Sequence, residues 1–228
     1  MCGRFQFAPK GKAIWVDEFG LPEDSSFPER INLAPTQDAP VIVKSPSGQS
    51  LRSMQWGLIP SWTPTAEQPK IFINARAETA SIKPSFRDAW QARRCLILTT
   101  GYYEWAKKGG PPTLIQRPDE GVFCFAGLWE PNRQDASEGQ PSCTVLTTAA
   151  AAQLEDLHPR MPVMLPSALH KSWLEGGDLG FPPQGRQDLP FDLTTRLVSR
   201  RLNKVAHDDT SCLKQDPQDD LSQPGLFD

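Results

Sequence analysis

Short apolar runs, interrupted every few residues by proline, glycine or charge, set the pattern of this chain. Runs rich in β-branched and aromatic residues at 41–43, 51–58, 95–100, 102–106, 113–116, 122–129 and 143–148 predict strands. Helical spacing is rarer. Residues 12–19 place Trp15 and Phe19 four apart, and 85–92 open just after Pro84 and stack Phe86 on Trp90. The segment 149–157 is rich in alanine, and 167–175 start at Ser167 after Pro166 and pair Leu169 with Trp173. These four segments predict helices. The polar stretch 131–141 and the Gly/Pro-rich stretch 176–187 predict mobile loops. Strands and short helices mix without a βαβ rhythm and without an internal repeat, which predicts an α+β fold.

Composition narrows the picture. Twenty-three prolines among 228 residues are roughly twice the usual share of about 5%, so long helices are disfavoured and short strands joined by irregular loops are expected. The length points to one domain. No apolar stretch is long enough to span a bilayer, and no secretory signal pattern opens the chain, so a cytoplasmic protein is expected. The five cysteines (2, 95, 124, 143 and 212) are widely spaced with no C-x-x-C, and neither Cys nor His occurs at short metal-ligand spacing. No metal and no cofactor is therefore expected. The net charge of −3 excludes a general polyanion binder; nucleic acid would need a local basic patch.

Four segments set ionisable or polar residues among apolar ones: Cys2-Gly3-Arg4-Phe5, the run 73–79 around Asn74 and Arg76, Gly101-Tyr102-Tyr103-Glu104-Trp105, and His158-Pro159-Arg160-Met161-Pro162. Each has a bland explanation: a frayed terminus, a turn cap, the solvent side of a strand, a helix C-terminus. The chemistry they offer together is more specific. Removal of Met1 would leave Cys2 with an α-amine and a thiol on adjacent carbons. The amine can attack an aldehyde to form a Schiff base, and the sulfur can then close a thiazolidine. Glu104, between Tyr103 and Trp105, is expected to have a raised pKa suited to moving protons. Arg4 and Arg76 are natural phosphate partners.

On these residues the chain resembles the SOS-response-associated peptidase family of abasic-site processing proteins. The matching pieces also include 32–36 (Asn-Leu-Ala-Pro-Thr), 56–62 (Trp-Gly-Leu-Ile-Pro-Ser-Trp), 125–129, 146–150 and 198–203, in family order over residues 1–210. The resemblance implies a single-domain, predominantly β core of short, curved, mostly antiparallel strands with a few short helices. It also implies a partner, single-stranded DNA, and a covalent cross-link to abasic sites through Cys2, with self-processing peptidase and weak lyase activity as accompaniments. Carried over residue by residue, Cys2 is the nucleophile, Asn74 positions it, and Glu104 and His158 move protons. Arg4 and Arg76, with Asn32 and Thr148 as lesser candidates, would hold phosphates, and Trp62 would stack on a base. Pro159 stands where the family commonly has Asp, so the loop holding His158 is expected to differ slightly.

Residues 211–228 are acidic and polar and predict a flexible tail. Its end, with Gln223, Leu226 and Phe227, resembles the short motif by which bacterial replication proteins dock on the sliding clamp. Two rival classes stay open on sequence. Cysteine amidotransferases with an N-terminal nucleophile also begin Met-Cys-Gly, but they usually continue with Ile where Arg4 stands here, and their His-Asn-Gly run is absent. A non-covalent DNA-damage binding module would bind reversibly only.

Overall fold

The computed structural model describes residues 2–46, 48–64, 68–106, 108–131, 140–177 and 188–217. Among these, two sheets form. The smaller one runs in the order β12 (Thr194–Leu197), β8 (Thr113–Gln116), β7 (Gly101–Glu104), β1 (Phe5–Phe7), β2 (Arg30–Leu33), and every neighbouring pair is antiparallel. The larger one runs β11 (Arg160–Pro162), β10 (Ser142–Ala149), β4 (Gly48–Trp56), β3 (Asp38–Ser45), β6 (Arg94–Thr99), β9 (Phe123–Glu130). Because β9 also pairs with β10, five of these strands close into a ring. Four short helices decorate the sheets: α1 (Lys12–Glu18), α2 (Ala77–Ala80), α3 (Arg87–Ala92) and α4 (Ser167–Leu174). The fold is α+β and mostly β, as expected.

Strand β10 organises the larger sheet. Its first half lies between β4, which it pairs with in parallel, and β9. Its second half lies between β5 (Asn74–Arg76), also parallel, and β11. Thr147 faces Arg76 on one edge and Pro162 on the other. The segments carrying Asn74 and His158 therefore reach the same region from opposite edges of one strand.

Strands β6 and β9 of this ring are apolar because both of their faces are covered. Leu96 and Leu98 of β6 pack into one hydrophobic cluster with Phe7, Trp15 and Trp173, while Cys95 and Ile97 pack into a second with Phe5, Trp56 and Phe125. On the facing strand, a Cβ at Gly127 would come within 2.8 Å of Ile97 Cδ1 and 2.9 Å of Cys95 Sγ, so any larger residue there would force these side chains to shift.

Several expectations are corrected. The alanine-rich run 149–157 is not an α-helix: Ala149 ends β10, Ala150 and Ala151 are buried, and only Ala152–Leu154 form a 3-10 turn. The Ala150 N–H bonds to Pro159 O at 3.0 Å, so pairing with the following strand overrides helix propensity. The strand expected at 102–106 ends at Glu104. Packed structure also continues past 210. Thr210–Leu213 form a 3-10 turn with Cys212 fully buried, and Asp216 Oδ2 accepts from the Arg200 N–H at 2.9 Å. Most of the loops expected at 131–141 and 176–187, and the segment with Gln223, Leu226 and Phe227, lie outside the described residues. Among the described residues no helix is long and apolar enough to cross a membrane.

Candidate active site around Cys2

Cys2 sits just before β1, fully buried beside Phe5, Tyr102 and Met161. The turn that places it is fixed through Arg4, whose carbonyl accepts from the Tyr103 N–H at 3.0 Å and lies 3.7 Å from Cys2 Sγ. Burial pushes the Cys2 pKa up, the negative charge of Glu104 adds to this, and the Arg4 carbonyl contact and the amino terminus only partly offset it. At neutral pH the sulfur is therefore a protonated thiol that needs a base close by.

Asn74 and Glu104 act on Cys2 directly, and His158 acts on Glu104. Asn74, at the start of β5, donates from Nδ2 to the Cys2 carbonyl at 2.7 Å. Its Oδ1 is buried without a partner, an acceptor left over in the site. Glu104 ends β7 and is buried rather than solvent-facing. Desolvation raises its pKa above the ordinary carboxylate value, while the amino terminus and His158 pull the other way. His158 lies in the loop before β11, with Nδ1 at 3.0 Å from both N and O of Arg160. Glu104 thus stands within electrostatic reach of both Cys2 and His158.

The other expected residues divide. Arg76 is exposed, and Trp62 is 56% exposed, so both are available to a ligand. Arg4 is half-buried. Its Nη1 donates to Asn32 Oδ1 at 2.6 Å and to Leu202 O at 3.0 Å, while Nε is buried with no partner. Asn32 does not suit the expected phosphate contact. It is fully buried, and its Nδ2 faces the carbonyls of Leu202, Lys204 and His207 at 3.2, 3.1 and 2.7 Å. It fastens the segment after β12 to β2, helped by Asp208, whose Oδ1 accepts from the Ile31 and Asn32 N–H groups at 2.7 Å each. Thr148 is fully buried as well, with Oγ1 unpartnered, so it too presents no surface to a phosphate in this conformation.

Sequence reasoning missed two charged residues. Glu78 and Arg160 form a bidentate ion pair, Nη1 to Oε1 at 3.0 Å and Nη2 to Oε2 at 2.8 Å, although both lie inside segments already singled out. Their separation of 82 positions hides the pairing. Among the described residues no group of three or more His, Cys, Asp or Glu side chains is placed to hold a metal ion.

These features define a class: a β-rich α+β protein whose second residue, a cysteine, is held by an asparagine amide near a buried carboxylate, with an imidazole in reach of that carboxylate. The chain belongs to the SOS response associated peptidase (SRAP) family, whose model matches residues 1–205. It is 39% identical over 183 residues to the abasic site processing protein YoqW of Bacillus subtilis, covering 76% of this chain and 80% of that one. It is 31% identical over 183 residues to the abasic site processing protein YedK of Escherichia coli, with 76% and 79% covered. Among solved structures, a protein of Bacteroides thetaiotaomicron shares the fold with a TM-score of 0.75 at 22% identity, covering 94% of this chain and all of that one. A Bordetella bronchiseptica protein does so with a TM-score of 0.70 at 26% identity, covering 87% and 100%.

Proposed function

We propose that this protein captures abasic sites in single-stranded DNA as a covalent thiazolidine on Cys2, once Cys2 is the N-terminal residue. The observation that carries this reading is the Asn74 bond to the Cys2 carbonyl at 2.7 Å, with Glu104 close enough to act on the same residue. The names of the relatives supply the lesion.

An abasic deoxyribose equilibrates between a closed hemiacetal and an open aldehyde. His158 assists opening by giving a proton to the ring oxygen and taking back the one that the C1′ hydroxyl releases. An α-amine ordinarily has a pKa of about 8 and so a usable neutral fraction near pH 7, and the Cys2 amine is the nucleophile. It attacks C1′ to give a carbinolamine, which loses water to form a protonated imine. The departing hydroxyl takes a proton from Glu104, whose raised pKa favours the protonated form. The thiol then adds to the imine carbon. A C–S bond forms, the thiol proton passes to Glu104, and the imine nitrogen becomes an amine. Asn74 holds the Cys2 backbone so that amine and sulfur reach the same carbon in turn. The product lacks the imine that β-elimination requires, so strand scission is a side reaction of the imine stage. Removal of whatever precedes Cys2 is the self-processing step consistent with the peptidase in the family's name.

DNA is engaged chiefly through its backbone, with the exposed Arg76 as phosphate donor and Trp62 as a stacking surface. Action on single-stranded DNA would bring the protein to replication forks, in the nucleoid, where the 223–227 segment would meet the sliding clamp. The test is a denaturing gel after incubation with single-stranded DNA carrying one abasic site. A slow-migrating adduct is expected with wild type and none with Cys2→Ala, which should keep weak reversible binding. An adduct with Cys2→Ala would refute the reading.

A further inference from the structure

Two charged residues bridge the two legs of the site. Asn74 leads through β5 into α2, which carries Glu78, and His158 leads into β11, which begins with Arg160. These legs lie on opposite edges of β10, and the Glu78–Arg160 pair crosses over it. The guanidinium is also tied to β10 itself, through Nη2 to Thr147 O at 2.6 Å and Nε to Thr147 Oγ1 at 3.4 Å. A bidentate carboxylate fixes the plane of a guanidinium, so Arg160 has little freedom left.

The Arg160 main chain in turn supports His158. Arg160 stands opposite Ala149. The neighbouring N–H of Ala150 bonds to Pro159 O, and that of Val163 to Leu146 O. Bonded and non-bonded pairs alternate along an antiparallel ladder, so the Arg160 N–H and C=O turn away from β10. Both meet His158 Nδ1, each at 3.0 Å. With the ring proton on Nε2, Nδ1 accepts from the Arg160 N–H. With it on Nδ1, the ring donates to the Arg160 C=O. Nε2 is a donor in the first state and an acceptor in the second, and the ring does not have to turn.

We propose that Glu78, acting through Arg160, is a positioning residue for His158: the Glu78–Arg160–Thr147 bridge holds the Arg160 peptide where it serves both tautomers of the ring. This rests on the reading that His158 exchanges protons with the sugar, and it names the part of the fold that makes such exchange possible without ring motion.

The experiment is nitrogen-15 NMR of the imidazoles in the full chain, combined with adduct kinetics. There are three histidines, and a His158→Gln variant assigns the signal of interest. In wild type the neutral His158 ring should show a hydrogen-bonded Nδ1 and favour the Nε2–H tautomer. Glu78→Gln should shift that balance and slow adduct formation at saturating DNA by about 10-fold or more, with affinity for intact single-stranded DNA unchanged. Glu78→Asp, which keeps the carboxylate, should recover part of both. His170, stacked on Phe19 in the core, reports whether a variant is folded. If Glu78→Gln unfolds, Thr147→Val removes only a hydroxyl and should shift His158 in the same direction. A folded Glu78→Gln or Thr147→Val whose His158 spectrum matches wild type overturns the proposal. A wild type that forms no adduct would overturn the proposed function instead, and the spectra would still decide the bridge.

Discussion

Asn74→Asp is a near-isosteric change that removes a single donor. In the folded protein Nδ2 donates to the Cys2 carbonyl at 2.7 Å. The variant places a carboxylate oxygen there, leaving a carbonyl in a buried setting without its donor. Loss of a hydrogen bond that leaves a buried partner unsatisfied costs about 1–3 kcal/mol. If that bond holds Cys2 in the attacking geometry, the cost falls on the barrier, and at about 1.4 kcal/mol per decade the adduct rate drops about 5- to 150-fold. The added negative charge acts in the same direction, because Glu104 already raises the Cys2 thiol pKa and a second carboxylate would raise it further. The assay is single-turnover formation of the adduct with protein in excess over an oligonucleotide carrying one abasic site, followed on a denaturing gel. Affinity for the same oligonucleotide without the lesion serves as control and should hardly move. Asn74→Ala should slow the reaction less than Asn74→Asp, since it adds no charge. An Asn74→Asp protein that forms adduct at the wild-type rate would refute the positioning role.

Glu104→Gln should abolish most of the adduct rate, about 100-fold or more for a lost proton-transfer group, yet stabilise the fold. Glu104 has a folded-state pKa above its ordinary value of 4.5, so the folded protein retains a proton that the unfolded chain has lost over that window. Stability falls as pH rises through the window. The variant should therefore melt higher than wild type above it and converge with wild type at lower pH; melting curves against pH check this. Asp208→Ala removes a carboxylate that accepts from the Ile31 and Asn32 N–H groups and from Arg30 Nε, and should cost about 2–4 kcal/mol in urea denaturation. Trp62→Ala should weaken binding of intact single-stranded DNA by about 1–3 kcal/mol in a fluorescence titration. It should leave the melting temperature unchanged, because the ring is 56% exposed.

The long strands were legible because burial on both faces makes runs such as 95–100 and 122–129 continuously apolar. The short ones were not. Phe5–Phe7, Asn74–Arg76 and Arg160–Pro162 are three residues each, below the length at which periodicity speaks, and they exist because a neighbouring strand offers them an edge. Residues 149–157 misled because alanine serves close packing as readily as helix, and here Ala150 and Ala151 are buried beside β10. The candidate site was legible where local context carried it, as for Glu104 between aromatic residues. Asn32 was not: the three carbonyls that its Nδ2 faces lie 170 or more positions away, and only the fold reveals a buried amide that joins chain segments. The Glu78–Arg160 bridge was hidden for the same reason.

The central claim is that amine and thiol of Cys2 close on one aldehyde carbon. Intact mass spectrometry of the adduct, with and without borohydride, tests it most directly. The expected species is protein with N-terminal Cys2 plus abasic oligonucleotide minus one water, resistant to borohydride and absent with Cys2→Ala. An adduct that borohydride reduces completely, or one that forms without Cys2, would contradict the thiazolidine.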